Sequence, residues 1–344
     1  MKLGQALETA LAGDEVPAAL LEAAFGEIMD GEAEPVQIAG LLVALRAKGE
    51  TVAEIIAAAT ALRARASTTT SSRAGVIDVC GTGGSGLDTI NISTTGAFVV
   101  AGAGVPVAKH GNRAATSRSG SFDVLEALGV KIDLPIAACG KILDEIGIAT
   151  FFARTAHPAF RHVGPVRQQL GVRTLMNCLG PLLNPAGARR QVVGVYSAAL
   201  VEPLAAALKG LGAERALVVH GGDGLDEITT TTTTTACFAN GSEIKAFEIA
   251  PEEYGIKRAV AADIAGGSPE QNAASLRAVL SGEPGPHRDI VVLNAGAAIW
   301  VAGKVADLAA GIETARTSID TGAAAAKLEA LVQATIDAAE EATP

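Results

Sequence analysis

Aromatic side chains are scarce, with 8 Phe, 2 Tyr and 1 Trp in 344 residues. Basic residues are outnumbered as well, 27 Lys+Arg against 37 Asp+Glu, which leaves a net charge of −10. A chain short of both positive field and stacking platforms makes a poor nucleic-acid binder. Long uncharged runs are missing too. The longest, between Asp88 and Lys109, contains Asn91, Ser93, Thr94, Thr95 and Pro106. A more apolar run, Ile290 to Gly303, is shorter than the roughly 20 residues of a membrane span. Near the start, Glu8 and Asp14 interrupt the apolar stretch that a secretory signal needs. The four cysteines (Cys80, Cys139, Cys178 and Cys237) stand far apart and form no metal-ligand spacing. These absences predict a soluble, reduced, cytoplasmic protein.

Small residues supply what is abundant. Glycine occurs 39 times, and hydrophobic residues, dominated by Ala, Val and Leu, make up 49%. The length allows one large domain or two ordinary ones. Residues 1 to about 66 read as helices only. Ala6, Leu7, Ala10 and Leu11 recur at helical spacing, followed by Ala19, Leu20, Ala23 and Ala24, and then by Ile38, Leu41, Leu42 and Leu45. Thr51 with Glu54 forms a capping-box pattern ahead of a fourth helix with Ile55, Ile56 and Leu62. A polar linker, Ser67 to Arg73, ends this unit. From Gly75 short apolar runs alternate with helical patterns. Strands are expected at 76–80, 105–109, 150–153, 192–196 and 216–220, which implies a mostly parallel α/β sheet. The tail from Pro269 reads as three or four Ala-rich helices. The threonine run from Thr229 to Thr235 suits either a strand or a loop.

Four loops concentrate chemistry. The first runs from Gly81 through Gly83, Gly84 and Gly86 to Asn91-Ile92-Ser93-Thr94. Its glycines allow close approach of an anion, and a helix N-terminus follows with free amides and hydroxyls. It lacks the Gly-Lys-Ser/Thr of a P-loop. A plain tight turn is the competing reading. The second, Lys109 to Ser121, gathers Lys109, Arg113 and Arg118 with several hydroxyls in an otherwise acidic chain, which suits a polyphosphate; a solvated loop is the alternative. Two such loops at successive strand ends would converge at the carboxyl edge of the sheet. The third loop holds Asp223, Asp226 and Glu227. Paired carboxylates beside an anion site suit Mg²⁺, whereas Asp223 reads as an acidic turn residue. The fourth, His157 to Thr174, is expected to form a helix from Pro158 that carries Arg167, with salt-bridging as the default role of Arg161, Arg167 and Arg173. The Gly180-Pro181-Leu-Leu-Asn184-Pro185 segment after it reads as a rigid hinge or wall.

Together these motifs resemble the anthranilate phosphoribosyltransferase family of tryptophan biosynthesis, in the family's order and over nearly the whole chain. Gly81-Thr-Gly-Gly and Asn91-Ile-Ser-Thr94 are shared in part with thymidine phosphorylase-like enzymes. Lys109-His-Gly-Asn-Arg113, the His157-Pro to Arg167 segment, Gly180-Pro-Leu-Leu-Asn-Pro185 and Asp226-Glu227 point to the anthranilate branch.

The resemblance implies a small helical domain, 1–70 joined by part of 165–188, hinged to an α/β domain at 74–344. The fold would be nucleoside phosphorylase/phosphoribosyltransferase-like, the protein a homodimer, and the active site interdomain. The activity implied is transfer of a 5-phosphoribosyl group to the amine of anthranilate. Phosphoribosyl pyrophosphate would be held by Gly81, Gly84, Ser85, Thr89, Asn91, Ile92, Ser93, Thr94, the run Lys109, His110, Gly111, Asn112, Arg113, Ala114, Ala115, Thr116 and Ser117, and Ser121. Anthranilate would meet Gly81, Asn112, Arg167, His110, His157 and Pro181. Lys109, Asn112 and Arg167 would be catalytic, and Ser93, Asp226 and Glu227 would hold Mg²⁺. The family usually carries Asp after Gly-Thr-Gly-Gly, where this chain has Ser85 and an acid three residues later at Asp88; metal dependence is the property this departure bears on. The alternatives are a pyrimidine nucleoside phosphorylase-like enzyme and a non-catalytic nucleic-acid-binding paralogue.

Overall fold

The computed structural model describes residues 1–114 and 118–342. Four helices come first, α1 (Lys2–Leu11), α2 (Ala18–Met29), α3 (Pro35–Lys48) and α4 (Val52–Arg63). The capping box at the start of α4 is complete. Thr51 Oγ1 accepts the Glu54 N–H at 3.2 Å and Glu54 Oε2 accepts the Thr51 N–H at 2.9 Å. Glu54 is fully buried, so it needs more than the cap. Its carboxylate also accepts the Val16 N–H at 2.9 Å and pairs with Lys48 at 2.7 Å. In α2 the buried stripe includes Leu21, Ala24, Phe25 and Ile28, so of the expected Ala19, Leu20, Ala23 and Ala24 only Ala24 belongs to it. The helix is apolar nearly all round, and its bulkier residues take the core.

The α/β part alternates β1 (Ile77–Gly81), α5 (Ile92–Gly102), β2 (Val107–Gly111), α6 (Ser121–Ala127), α7 (Ile136–Ile146) and β3 (Ile148–Phe152). Three short helices lead to the next strand: α8 (Ala153–Ala156), α9 (Gly164–Leu170) and α10 (Met176–Leu179). Then come β4 (Arg190–Gly194), α11 (Val201–Gly210), β5 (Arg215–Gly221), β6 (Thr234–Asn240) and β7 (Glu243–Ile249). Four helices close the chain, α12 (Pro269–Leu280), α13 (Pro286–Val301), α14 (Leu308–Asp320) and α15 (Ala323–Glu341). None of the described helices is long and apolar enough to cross a membrane.

The sheet has 7 strands in the order β3-β2-β1-β4-β5-β6-β7. β1 to β5 pair in parallel, whereas β6 and β7 continue antiparallel. The chain moves outward from β1 to β3 and then returns to place β4 beside β1. That reversal opens a crevice at the carboxyl ends of β1 and β4.

One core cluster packs the C-terminal helices and α5 against the sheet. A second joins the four N-terminal helices to Val166, Leu175, Met176 and Leu179 and to the other sheet face through Val193 and Val218.

Two sequence expectations change. The expected helix from Pro158 is broken: residues 158–162 form a 3₁₀ turn, and α9 restarts at Gly164 with Pro165 in its first turn, where the missing N–H and fixed φ are tolerated. The threonine run divides. Its first part turns back on Asp223, and Thr234 and Thr235 open β6.

Helices α13 and α14 cross where Gly296 faces Gly311. A Cβ on Gly311 would overlap the Gly296 carbonyl, and one on Gly296 would lie 2.7 Å from the Ile312 nitrogen. Gly311→Ala is expected to cost about 1–3 kcal/mol through overpacking, read as a lower denaturation midpoint. An unchanged midpoint would show that the crossing has slack.

Candidate active site

Four of the five parallel strands end on glycine: Gly81, Gly111, Gly194 and Gly221. At the crevice the reason is direct. The chain leaving β5 returns across the ends of β1 and β4 at Asp226. A Cβ at Gly194 would overlap the Asp226 backbone, and one at Gly81 its carboxylate. Bare strand ends therefore let Asp226 lie on the sheet edge. The fit is tied by Thr82 N–H to Gly194 O at 2.9 Å and Tyr196 N–H to Thr82 Oγ1 at 3.1 Å.

From there the acid pair spreads to two loops. Asp226 Oδ2 accepts the Gly83 N–H at 2.7 Å, and Glu227 Oε1 accepts the Ser93 N–H at 3.1 Å in the first turn of α5. Asn294 on α13 holds the next residue in place. Its Oδ1 accepts the Ile228 N–H at 2.9 Å, and its amide donates to Ile228 O at 2.7 Å. Burial pushes both carboxyls upward, Glu227 to about 7, with Asp226 adding to that rise and Lys109 opposing it. Asp223 serves differently. Its Oδ2 accepts Thr229 Oγ1–H at 2.7 Å and Thr231 Oγ1–H at 2.5 Å, as befits a turn organiser.

Lys109, 2% exposed, donates from Nζ to Val79 O at 2.9 Å. Burial lowers its pKa, and Asp78, Cys80 and Glu227 hold it up. Asp78 is fully buried and accepts the His110 N–H at 3.1 Å. His110 and His157 meet Nε2 to Nε2 at 3.2 Å. Burial pushes them down to about 3 and about 4, so both are neutral at pH 7. Arg167 on α9 is half-buried, its pKa is lowered by desolvation, and it has no ion pair with any acid among the described residues.

Every site residue expected from sequence that the structure describes lines one cavity of about 890 Å³. It draws Gly81, Gly84, Ser85, Thr89, Asn91, Ile92, Ser93 and Thr94 from the first loop, and Lys109, His110, Gly111, Asn112, Arg113, Ala114 and Ser121 from the second. Its other walls bring in His157, Arg167, Pro181, Asp226 and Glu227. Ala115, Thr116 and Ser117 lie outside the described residues.

The expected cluster of free cations is reduced. Arg113 turns to Glu126 at 2.8 Å and Asp123 at 3.5 Å, leaving its charge largely compensated. Gly86 is not on the cavity wall. Asp88 Oδ1 accepts the Arg118 N–H at 3.4 Å, so this acid links the two loops. Ser85 instead works against the rise that burial imposes on the Asp226 carboxyl. Arg173 forms no salt bridge to an acid among the described residues; it donates to Gly84 O and stacks over Tyr196 at 4.3 Å.

Sequence reasoning missed Asp78, Asn272 and Asn294. Asp78 and Asn294 each interrupt an apolar run, and that interruption was the available signal, whereas Asn272 follows Glu270 and Gln271 in a polar helix start and carried none. Among the described residues no group of three or more His, Cys, Asp or Glu assembles for a metal. Two carboxylates with a serine beside them do fit Mg²⁺, which takes one or two carboxylates and completes its shell with water and phosphate oxygens.

Two family models match the chain, a glycosyl transferase family helical bundle domain over residues 4–66 and a glycosyl transferase family a/b domain over residues 73–325. Anthranilate phosphoribosyltransferase of Azorhizobium caulinodans is 52% identical over 330 residues, covering 96% of this chain and 94% of that protein. The crystal structure of anthranilate phosphoribosyltransferase from Thermus thermophilus superposes with a TM-score of 0.92 at 45% identity, covering 96% of this chain and 99% of that one. The Saccharomyces cerevisiae enzyme in complex with PRPP and Mg gives a TM-score of 0.90 at 26% identity, covering 97% and 98%.

The raised Glu227 pKa predicts a pH-dependent stability. The folded value near 7 exceeds the ordinary glutamate value of 4.5, so the stabilising contribution is complete below about pH 4.5 and is lost as pH rises through 7. In metal-free protein, Glu227→Gln should therefore raise the melting temperature relative to wild type more at pH 8 than at pH 4.5. An equal difference at both pH values would contradict the shift.

Proposed function

Because the chain belongs to the anthranilate phosphoribosyltransferase family, we infer its residue roles from that premise. The protein is a pentosyltransferase: it transfers the 5-phosphoribosyl group of phosphoribosyl pyrophosphate to the amine of anthranilate, giving N-(5-phosphoribosyl)anthranilate and pyrophosphate in L-tryptophan biosynthesis.

An aromatic amine carries a free lone pair at pH 7, so attack needs no strong base. The difficulty lies in expelling pyrophosphate, and catalysis is positioning with charge neutralisation. In our reading the first loop and the start of α5, from Gly81 to Thr94, bind the donor through backbone N–H groups and hydroxyls. The second loop, Lys109 to Ser121, closes over the same anion. Lys109 adds positive potential from behind the strand ends, a role supported by its burial beside Val79 O. Asp226, Glu227 and Ser93 would hold Mg²⁺, which when bound supplies charge to the pyrophosphate oxygens. Their carboxylates, desolvated and close together, favour a cation.

Arg167 carries the acceptor assignment. A desolvated guanidinium with no acid partner among the described residues, on a wall of the same cavity, is suited to a bidentate bond with the anthranilate carboxylate. Asn112 and Gly81 would face the amine end, with His110, His157 and Pro181 shaping the path. The neutral histidine pair is appropriate there, because it adds no competing cation.

The reading extends to a helical unit of 1–70 joined by part of 165–188, and an α/β unit of 74–344. The core that Val166 and Leu175 share with the N-terminal helices supports this division. It also includes a cytoplasmic homodimer. Val36 and Val43, 78% and 44% exposed on α3, support a subunit contact there.

Loss of anthranilate fluorescence on adding protein, phosphoribosyl pyrophosphate and Mg²⁺ tests the activity, and absence of that loss would refute it. Arg167→Ala is expected to raise the anthranilate KM roughly 10- to 100-fold, as befits a lost charge-assisted bidentate pair, while sparing the donor KM. An unchanged anthranilate KM would remove the assignment. Asp226→Asn with Glu227→Gln should abolish Mg²⁺-dependent turnover, and wild-type turnover would exclude the metal role.

A further inference from the structure

The buried Asn272 has no role in the division of labour above, yet it ends on a residue that does. It stands at the start of α12 and is 2% exposed. Its orientation is dictated from the backbone outward. The Gly267 N–H donates to Asn272 Oδ1 at 2.7 Å. An N–H meets only an acceptor, so the NH₂ end of this amide must face the other way. There it finds two acceptors, Asn91 Oδ1 at 2.7 Å and Thr89 O at 3.4 Å.

Asn91 is thereby constrained in turn. It must give its oxygen to Asn272, which points its own NH₂ to the far side, where it reaches Ser119 O at 3.4 Å. Asn91 is also the N-cap residue of α5 and lines the cavity, as Ser119 does. A carboxamide free to turn would offer oxygen or nitrogen to a bound phosphate, and only the nitrogen attracts it.

We propose that Asn272 is a positioning residue, which fixes the Asn91 carboxamide so that a hydrogen-bond donor faces the pyrophosphate of the donor substrate. The inference rests on the assignment of Asn91 to the donor site.

Steady-state kinetics of four variants test it. Asn272→Ala leaves only the 3.4 Å bond to Ser119 O to orient Asn91 and should raise the donor KM by up to about twofold, the limit set by sharing two orientations equally. Asn272→Asp puts a carboxylate against Asn91, reverses its amide, and should raise the donor KM roughly tenfold or more with the anthranilate KM unchanged. On an Asn91→Ala background the Asp substitution should add nothing, because no amide remains to turn. A full effect of Asn272→Asp on that background would overturn the proposal, as would equal changes in both KM values. If Asn272→Asp fails to fold, the same cycle run with Asn272→Ala must still be non-additive. Asn91→Ala alone separates the two levels. An unchanged donor KM would overturn the donor assignment and the relay with it, whereas a raised donor KM alongside a silent Asn272→Asp would overturn only the relay.

Discussion

The crossing of Asp226 over two bare strand ends is the constraint on which the site depends. At the point where strand order reverses, the chain returning from β5 has to lie on β1 and β4. It does so only because Gly81 and Gly194 carry no Cβ. Backbone against backbone at that spot leaves the carboxylates of Asp226 and Glu227 free to diverge. One reaches the glycine loop and the other the first turn of α5. The acid pair therefore does structural work before any ligand arrives, joining a loop to a helix N-terminus. Asn294 secures the far side by satisfying both backbone groups of Ile228.

Charge in this cavity is arranged against its own stability. Buried carboxylates are costly unless paired or hydrogen-bonded, and here Asp226 raises the pKa of Glu227 while Lys109 only partly opposes it. Lys109 is itself shared between Asp78 and Glu227. On α9 the imbalance has the other sign, since Arg167 is desolvated without an acid among the described residues. Unpaired charge of both signs on different walls of one cavity suits two ligands better than one. In the proposed reading a cation with its polyphosphate would answer the acids, and a carboxylate would answer the arginine. Scarce aromatics fit this proposal, because a small aromatic acid gripped by guanidinium and amide would need no stacking partner.

Much of the fold was legible where a pattern repeats. The capping box at Thr51 and Glu54, the alternation of strands and helices, and the four loop motifs all came through as local signals. Strand limits were less legible, because apolar runs suggest that β1 stops at Cys80 and β2 at Lys109. Pairing continues in each case onto a glycine, which the cavity needs and hydrophobicity does not mark. The β6–β7 hairpin had no clean alternation, since much of β7 is exposed and charged. Asn272 was illegible for a deeper reason. Asn272 acquires meaning only from Asn91, 181 residues away in sequence, and no local period encodes such a pair.

The threonine run shows how a sequence of one residue type divides its labour. Thr229 and Thr231 use their hydroxyls, both directed to Asp223 Oδ2, and Thr234 accepts the Thr229 N–H at 3.0 Å. Thr234 and Thr235 use their β-branching instead, pairing in β6 with β5 and β7. The first half has a consequence for chemistry. The loop after β5 carries three acids, Asp223, Asp226 and Glu227, and a free third carboxylate would change both the charge and the ligand count of a cation site. By occupying Asp223 with two hydroxyls, the run keeps it within its own turn. Of these three acids, Asp226 and Glu227 line the cavity and Asp223 does not. Two carboxylates leave coordination positions for water and phosphate, as a magnesium ion shared with a substrate requires. A run that looks featureless by composition thus sets how many acids the loop after β5 presents to the cavity.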